Sequence, residues 1–248
     1  TTTAKTDSIE GFSETIKRLS NILKAQIENS SVSFNDVKSV GIGVPGPVLN
    51  NRIVKFWANF PWKNGIDLAL EFEKNLGIPV KADNDVNVIT LGEMWQGAGQ
   101  GYKNVLGLAI GTGIGGGIIV DGKLISGLNG AGGEVGHIKI EHNGKLCGCG
   151  QKGCWEAYAS ATGIIREAQS RLAVNKQNLL YEMTKGRDLE AKDVFDAAKK
   201  GDKFSLDIVD YEAEKLALGI GNLLNILDPE IVVVGGGVAL AGDFLFDK

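Results

Sequence analysis

The sequence predicts an α/β fold that is divided into two lobes. Short apolar segments typical of strands alternate along the chain with segments whose apolar residues recur at helical spacing. The 35 glycines are clustered rather than spread evenly, and such clusters occur where backbone approaches backbone or ligand closely. A chain of 248 residues, 43% of them hydrophobic, is long enough for one large domain or two lobes. We place the lobes at residues 1–102 and 103–248.

Composition argues against several classes of function. The net charge is −4 and there is no basic block, so nucleic-acid binding through a cationic surface is not expected. No apolar run approaches the length that spans a bilayer. The small number of cysteines and the absence of a secretory signal predict a cytoplasmic protein without disulfides.

The first lobe begins with a helix, which is unusual for an α/β domain. Asp7 and Ser8 are placed to cap that helix. A strand at 37–44 is closed by Pro45-Gly46-Pro47, a turn that forbids helix. The remaining elements of this lobe are predicted helices at 68–76 and 86–95 and a strand at 79–82.

Asp83-Asn84-Asp85 joins a strand to the start of a helix, and two interpretations of Asp85 stay open. Asp or Asn at a helix start caps free N–H groups and is favoured by the helix dipole. A carboxylate at the carboxyl end of a strand also lies where α/β proteins bind ligands. There it could accept a proton from a hydroxyl nucleophile.

A run of five glycines in seven residues follows a predicted strand at 104–110. It contains G-x-G-x-x-G, but the dinucleotide-binding fingerprint needs a helix next, and residues 117–120 predict a strand. The Walker pattern fails because no Gly-Lys-Ser or Gly-Lys-Thr follows. The run is therefore interpreted as a glycine-rich hairpin whose backbone N–H groups hold phosphate oxygens. A bulged turn would explain only one or two of these glycines.

The second lobe ends on a comparable arrangement. A fully apolar strand at 231–234, which we expect to be buried within a sheet, is followed by Gly235-Gly236-Gly237 and the start of a helix. Such a place suits the sugar or phosphate of a nucleotide. The other elements of this lobe are a second hairpin strand at 123–125 and helices at 157–173, with a possible break at Gly163, at 188–199 and at 205–227.

All three cysteines and both histidines lie between residues 131 and 156. Three thiolates and one imidazole form a closed tetrahedral set for structural zinc, and the glycines between them allow tight turns. The alternatives are free thiols, or one disulfide with an unpaired cysteine. His137 is the preferred fourth ligand, because its second ring nitrogen could face a ligand. His142 is the substitute.

Together these segments resemble the ROK family of sugar kinases and sugar-responsive repressors, and within it the glucokinases. That resemblance runs from about Val40 to the last residues, and it implies the actin-like/hexokinase (ribonuclease H-like) ATPase fold, with two lobes and a cleft. The cysteine pattern is the most specific of the motifs. The motifs are Ala82-Asp83-Asn84-Asp85-Val86-Asn87 with Gly92-Glu93, the glycine run 111–117, Gly132-Gly133-Glu134-Val135-Gly136-His137, Cys-Gly-Cys-Gly-x-x-Gly-Cys-x-Glu at 147–156, and Gly235–Gly237.

The resemblance also implies roles for single residues. Asp85 would be the general base. The hexose would be held by Gly46, Asn59, Asn84, Glu134, His137 and Glu156. The nucleotide would be held by Thr112, Gly113, Gly235, Gly236 and Gly237. A structural Zn²⁺ would be held by His137, Cys147, Cys149 and Cys154, with ATP and catalytic Mg²⁺ as the other cofactors.

The function implied is ATP-dependent phosphorylation of glucose by a homodimer or homotetramer, although polyphosphate stays open as the donor. The alternatives are a repressor with an upstream DNA-binding domain, or a kinase for N-acetylmannosamine, fructose or allose. Family kinases begin with a strand and an Asp-x-Gly-Gly-Thr phosphate loop, and neither occurs in this sequence. We therefore expect these residues to be an internal portion of a longer protein.

Overall fold

The chain divides into two compact units. The computed structural model describes residues 1–57 and 60–248. Unit 1 consists of Thr1–Ile89 and Ile125–Gly132, and unit 2 consists of Thr90–Leu124 and Gly133–Lys248.

This division differs from the boundary expected at residues 102 and 103. It falls inside one helix, because the Thr90 side chain fills the space that a Cβ would need at Gly107 of unit 2. The segment Ile125–Gly132 returns to unit 1, where Gly130 lies against the backbone of Val48. Both features depend on contacts between residues far apart in the chain.

The described part of unit 1 contains five short strands, one helix before them and two helices after the fourth and fifth strands. The elements in chain order are α1 (Phe12–Glu28), β1 (Val40–Val44), β2 (Val48–Leu49), β3 (Ile53–Val54), β4 (Ile66–Asp67), α2 (Leu68–Leu76), β5 (Val80–Asn84) and α3 (Asp85–Gln96), the last of which continues into unit 2. Strands β1 and β5 pair in parallel, with Val44 opposite Asn84. Strands β2, β3 and β4 form a small antiparallel sheet.

The core of unit 1 lies between the helices and both sheets. Its buried residues are Ile16, Val44, Val48, Val54, Trp57, Leu68, Ala69, Phe72, Leu76, Val80 and Ala82. The predicted helix 68–76 is confirmed, and Asp67 caps it by accepting a hydrogen bond from Leu70 N at 2.8 Å.

The start of α1 differs from the prediction. Residues Ser8–Glu10 form a 3₁₀ turn, and the α-helix begins only after Gly11, whose φ of 90° is outside the helical range. Capping of α1 by Asp7 or Ser8 is therefore wrong, because Gly11 stands at the cap position without a side chain.

Unit 2 contains one four-stranded sheet and most of the helices. The elements are β6 (Val105–Ile110), β7 (Ile114–Val120), β8 (Lys123–Leu124), α4 (Glu156–Ala159), α5 (Ala161–Val174), α6 (Leu179–Thr184), α7 (Ala191–Lys199), α8 (Lys203–Leu227), β9 (Ile231–Gly235) and α9 (Asp243–Phe246). The strand order is β8-β7-β6-β9, in which β6 and β9 are parallel.

Strand β9 is less buried than expected. All five of its residues are half-buried, because β9 pairs only with β6 within the described part of the chain. The prediction of a fully buried strand is therefore wrong for these residues. Apolar composition did not distinguish an edge strand from a central one.

The break in the helix after the cysteines also differs from the prediction. It falls at Ser160, which is extended and caps α5 by accepting a hydrogen bond from Gly163 N. Gly163 lies inside α5 and leaves room for the Tyr158 carbonyl. A break at Gly163 is therefore wrong, since that glycine serves close packing of two consecutive helices.

Candidate functional site

The first candidate site of unit 1 lies where β5 ends and α3 begins. Asn84 Oδ1 accepts hydrogen bonds from Val86 N at 2.9 Å and from Asn87 N at 3.2 Å, so Asn84 caps α3. The Asp85 carboxylate is exposed, and its Oδ1 accepts a hydrogen bond from the adjacent Val86 N at 3.0 Å. The cap is thus supplied chiefly by the residue before Asp85.

Gly46 lies beside the Asn84–Asp85 corner, the junction at which β5 ends and α3 begins. Parallel pairing of β1 with β5 brings the turn after β1 next to Asn84, whose Nδ2 donates to the Gly46 carbonyl at 3.4 Å. Gly46 has a φ of 103°, and a Cβ there would collide with the Phe56 carbonyl. Asn59, also predicted to contact a hexose, lies outside the described residues.

Asp83 is a member of this corner that sequence reasoning did not assign. Its side chain is 8% exposed and accepts hydrogen bonds from Asn51, Asn84 and Asn87. The available signal was a carboxylate directly after the predicted strand at 79–82, which the structure extends to Asn84. An acid in that position needs a buried partner.

The second candidate site, in unit 2, is a cluster of three cysteines and one histidine. The ligand atoms of His137, Cys147, Cys149 and Cys154 all lie within 4.8 Å of one another. His137 Nδ1 is 3.7 Å from Cys147 Sγ, and Cys149 Sγ is 3.7 Å from Cys154 Sγ. His142 is exposed and is not a member of this cluster.

The backbone brings these residues together through two tight turns. Lys139 pairs with Cys154 and Leu146 with Lys152 in isolated antiparallel bridges. Gly153 has a φ of 77°, and its missing side chain makes room for the Glu141 carbonyl. The cysteines therefore converge because the chain doubles back on itself twice.

Lys145 ties the cysteine loop to the helices behind it. Its Nζ lies 2.6 Å from Glu167 Oε2 on α5 and 4.9 Å and 5.1 Å from the ring centres of Tyr158 and Tyr211. Its backbone N–H donates to the Tyr158 hydroxyl. Lys145 was not among the residues predicted to form a site.

Two carboxylates flank His137 on opposite sides. Glu134 Oε2 lies 4.0 Å from His137 Nε2, and Glu156 Oε1 lies 3.6 Å from His137 Nδ1. Glu156 Oε2 also accepts from Ile114 N at 3.4 Å. The structure thus brings three predicted hexose ligands to one place, with Nδ1 toward the sulfurs and Nε2 toward Glu134.

The protonation behaviour of the cysteines is uneven. Burial, with help from the Glu156 carboxylate, raises the pKa of the Cys147 thiol. Burial acts in the same direction on Cys149, but hydrogen bonds from Gln151 N–H, Cys147 and Cys154 outweigh it and lower the pKa of that thiol. The hydrogen bond to Cys154 raises the pKa of Lys139.

The two glycine-rich segments lie side by side at one edge of the unit 2 sheet. The register of parallel strands β6 and β9 pairs Ala109 with Gly235, so the residues after both strands emerge together. Gly236 has a φ of 91° and packs against the backbone of Ile110. Thr112 is exposed beside them. The nucleotide-binding role of these residues stays a prediction.

Within residues 1–57 and 60–248, no helix combines the length and the hydrophobicity needed to cross a bilayer.

Comparisons with known proteins agree on one family. The sequence profile described as "ROK family" matches residues 4–248. A glucokinase from Thermotoga maritima is 43% identical over 209 residues, which cover 84% of this chain and 66% of that enzyme. The chain thus spans just under two thirds of the length of this relative.

Solved structures similar to this chain belong to the same family and include a glucokinase and a transcriptional regulator. A ROK family glucokinase from Streptomyces griseus in complex with glucose and AMPPNP superposes with a TM-score of 0.79 at 35% identity, covering 93% of this chain and 75% of that one. A ROK family transcriptional regulator, a homologue of the E. coli MLC protein, gives 0.81 at 28% identity, covering 94% and 58%. The predicted actin-like/hexokinase ATPase fold class is confirmed.

Proposed function

This chain belongs to the ROK family, and from that membership we propose that the protein transfers the terminal phosphoryl group of ATP to the 6-hydroxyl of glucose. The observation that carries the proposal is that two adjacent residues at the start of α3 have different roles. Asn84 caps the helix, and the Asp85 carboxylate is exposed next to it. A carboxylate that is not needed for capping is available to accept the proton of a hydroxyl nucleophile.

Phosphoryl transfer requires little covalent chemistry from the protein. It needs a positioned nucleophile, a proton acceptor and stabilisation of phosphate charge. Asp85 would orient and deprotonate the sugar hydroxyl, while Asn84 and Gly46 would contact the sugar from the same corner. The Asn84 contact with the Gly46 carbonyl supports their acting together.

Glu134, His137 and Glu156 would hydrogen-bond the other sugar hydroxyls. Their clustering supports this role, because the two carboxylates lie on either side of one imidazole. A sugar that lacks the matching hydroxyls would leave such groups unpaired, and that penalty gives discrimination between hexoses. Asn59 remains a hexose ligand predicted from the sequence alone.

The cysteine cluster fits a structural Zn²⁺. Zinc–sulfur bonds of about 2.3 Å in a tetrahedron place the ligand atoms about 3.8 Å apart. The distances of 3.7 Å between Cys149 and Cys154, and between Cys147 and His137 Nδ1, agree with that geometry. His137 Nδ1, Cys147, Cys149 and Cys154 would hold the ion, which would supply rigidity to the loop rather than chemistry.

The nucleotide would lie on the glycine-rich edge of the unit 2 sheet. Thr112 and Gly113 would approach the phosphates, and Gly235–Gly237 would lie along the adenosine. The adjacency of the two segments supports this placement. Bound Mg²⁺ would neutralise charge on the phosphates.

A sugar-responsive repressor is the second candidate, because a transcriptional regulator shares this fold. The Asn84-Asp85 pair and the glycine-rich run 111–117 favour the kinase, because phosphoryl transfer needs both a proton acceptor and groups that hold phosphate. N-acetylmannosamine, fructose and allose remain alternative substrates. Cytoplasmic location and a homodimer or homotetramer remain predictions from the sequence.

The test is a coupled assay of ADP release by the full-length protein across a panel of hexoses. We expect glucose to give the highest kcat/KM with ATP. Another preferred hexose would replace glucose as the substrate, and faster turnover with polyphosphate would replace ATP as the donor. Absence of turnover with every sugar, together with sugar-dependent DNA binding, would favour the repressor.

A further inference from the structure

Asp83 is a buried acid that the proposed reaction does not use directly. Its Oδ1 accepts from Asn84 N at 2.7 Å and from Asn87 Nδ2 at 2.9 Å, and its Oδ2 accepts from Asn51 Nδ2 at 2.8 Å. All three donors are neutral amides. Within the described residues, no lysine or arginine forms an ion pair with Asp83.

Burying a carboxylate without a cation is unfavourable, and an apolar residue of similar size would fill the space at lower cost. We therefore infer that the role of Asp83 is to fix the positions of its hydrogen-bond donors, not to fill space in the core. A carboxylate supplies several acceptor sites on two oxygens, which is enough to satisfy three separate donors.

The three donors belong to three different parts of unit 1. Asn51 is the second central residue of the turn between β2 and β3, with a φ of 55°, and its carbonyl accepts from Ala82 N at 2.8 Å. Asn84 follows Asp83 at the end of β5. Asn87 lies in the first turn of α3 and is 1% exposed.

The position of the Asn87 amide depends on Asp83. Asn87 Oδ1 is buried and has no hydrogen-bond partner within residues 1–57 and 60–248, so the donation from Nδ2 to Asp83 orients this side chain. Asp83 thus connects the hairpin turn, the strand end and the helix start, between which Asn84 and Asp85 are held.

We propose that Asp83 is a positioning residue that holds the Asn84–Asp85 corner in its reactive geometry through hydrogen-bond acceptance, not through its charge. This inference rests on the proposed kinase function. Asp83 does not touch the substrate; it acts through the backbone of Asn84 and through Asn51 and Asn87.

Two single variants test the contact. Asp83→Ala removes the two oxygens that accept all three hydrogen bonds, and a displacement of about 1 Å at a reacting group can lower the rate by about 100-fold. We expect kcat/KM for the hexose to fall by about that factor, with a higher hexose KM and an unchanged ATP KM. Asn51→Asp places two carboxylates in contact and should lower kcat/KM by about tenfold or more at pH 8, because like charges repel.

A double variant separates hydrogen-bond acceptance by residue 83 from the negative charge on residue 83, because the charge moves to residue 51. In Asn51→Asp/Asp83→Asn, residue 83 keeps an oxygen for Asn84 N and Asn87 Nδ2, while its amide donates to the new carboxylate at 51. We expect recovery to within about fivefold of wild type, since one good hydrogen bond is exchanged for another. Asp36→Asn, at an exposed site in unit 1, is the matched control and should behave as wild type.

Hydrogen exchange of the Asn84 and Val86 amides gives a readout that does not need turnover. Faster exchange in Asp83→Ala and Asn51→Asp, and its reversal in the double variant, would support the positioning role even if glucose proved not to be the substrate. The inference is overturned if Asn51→Asp retains wild-type kinetics and exchange, or if the double variant fails to recover. It is also overturned if Asp83→Ala lowers only the folded fraction and leaves hexose KM unchanged.

Discussion

Cys147 Sγ lies 3.0 Å from Glu156 Oε1, and that same oxygen lies 3.6 Å from His137 Nδ1. A member of the thiol cluster therefore contacts a carboxylate that the proposed function assigns to the hexose. Disturbance of the cluster would move Glu156 as well. Cys147, Glu156 and His137 therefore form one connected cluster, in which loss of one side chain should affect the other two.

Metal analysis of the full-length protein should find about one zinc per chain, as one closed site requires. His137→Ala should lose that zinc and raise the hexose KM, because His137 supplies the nitrogen of the cluster. The exposed His142 gives a matched control, and His142→Ala should keep both the zinc and the KM. Equal zinc loss in both variants would contradict the ligand assignment, and folded protein without zinc would remove the metal site.

The close approach of Gly236 to β6 predicts unequal effects of two adjacent substitutions. Gly236→Ala forces a side chain into a conformation with φ of 91° and against the Ile110 backbone. We expect a loss of about 1–3 kcal/mol in the free energy of unfolding, the usual cost of such strain. Gly237→Ala meets nothing within 4 Å and should unfold as the wild type does in thermal denaturation. Similar melting temperatures for both variants would contradict the packing described here.

Glu212 predicts a pH-dependent stability. This glutamate is 1% exposed, its Oε1 has no hydrogen-bond partner among the residues that the structure describes, and burial raises its pKa well above the ordinary value of 4.5. The folded state keeps the proton at pH values where the unfolded chain has lost it, so the group costs stability as pH rises above about 4.5. The side-chain amide introduced by Glu212→Gln cannot ionise. The melting temperature of this variant, relative to that of wild type, should therefore rise as the pH increases from about 5 to about 8.

Glu214→Gln is the control for this experiment, because Glu214 lies on the same helix with its side chain 64% exposed. Its melting temperature should stay parallel to that of wild type over the same pH range. A Glu212→Gln variant that also stays parallel would show that the Glu212 carboxyl ionises as freely in the folded protein as in the unfolded chain.

Features set by neighbouring residues were predictable from the sequence. Helix α2 occupies residues 68–76 as expected, because its apolar spacing is regular and Asp67 and Gly77 mark its ends. The grouping of the three cysteines with His137 was also expected, since all four residues lie within one glycine-rich segment. Zinc ligands often occur at such short spacings, so their grouping could be predicted without knowledge of the fold.

Features set by distant contacts were not predictable. Strands β2, β3 and β4 have two residues each, which is too short for any periodic signal. The role of Asp83 depends on Asn51, which lies 32 residues earlier in the chain. The edge position of β9 depends on which strands pair, and its apolar sequence carries no information about that.

Asp85→Asn in the full-length protein is the decisive test of a general base at residue 85. Steady-state kinetics with ATP and glucose, together with calorimetric glucose binding, separate chemistry from affinity. We expect kcat to fall by about 10²–10⁴-fold, the usual contribution of a positioned proton acceptor, while glucose binding largely survives. A variant that turns over glucose at the wild-type rate would exclude Asp85 as the general base.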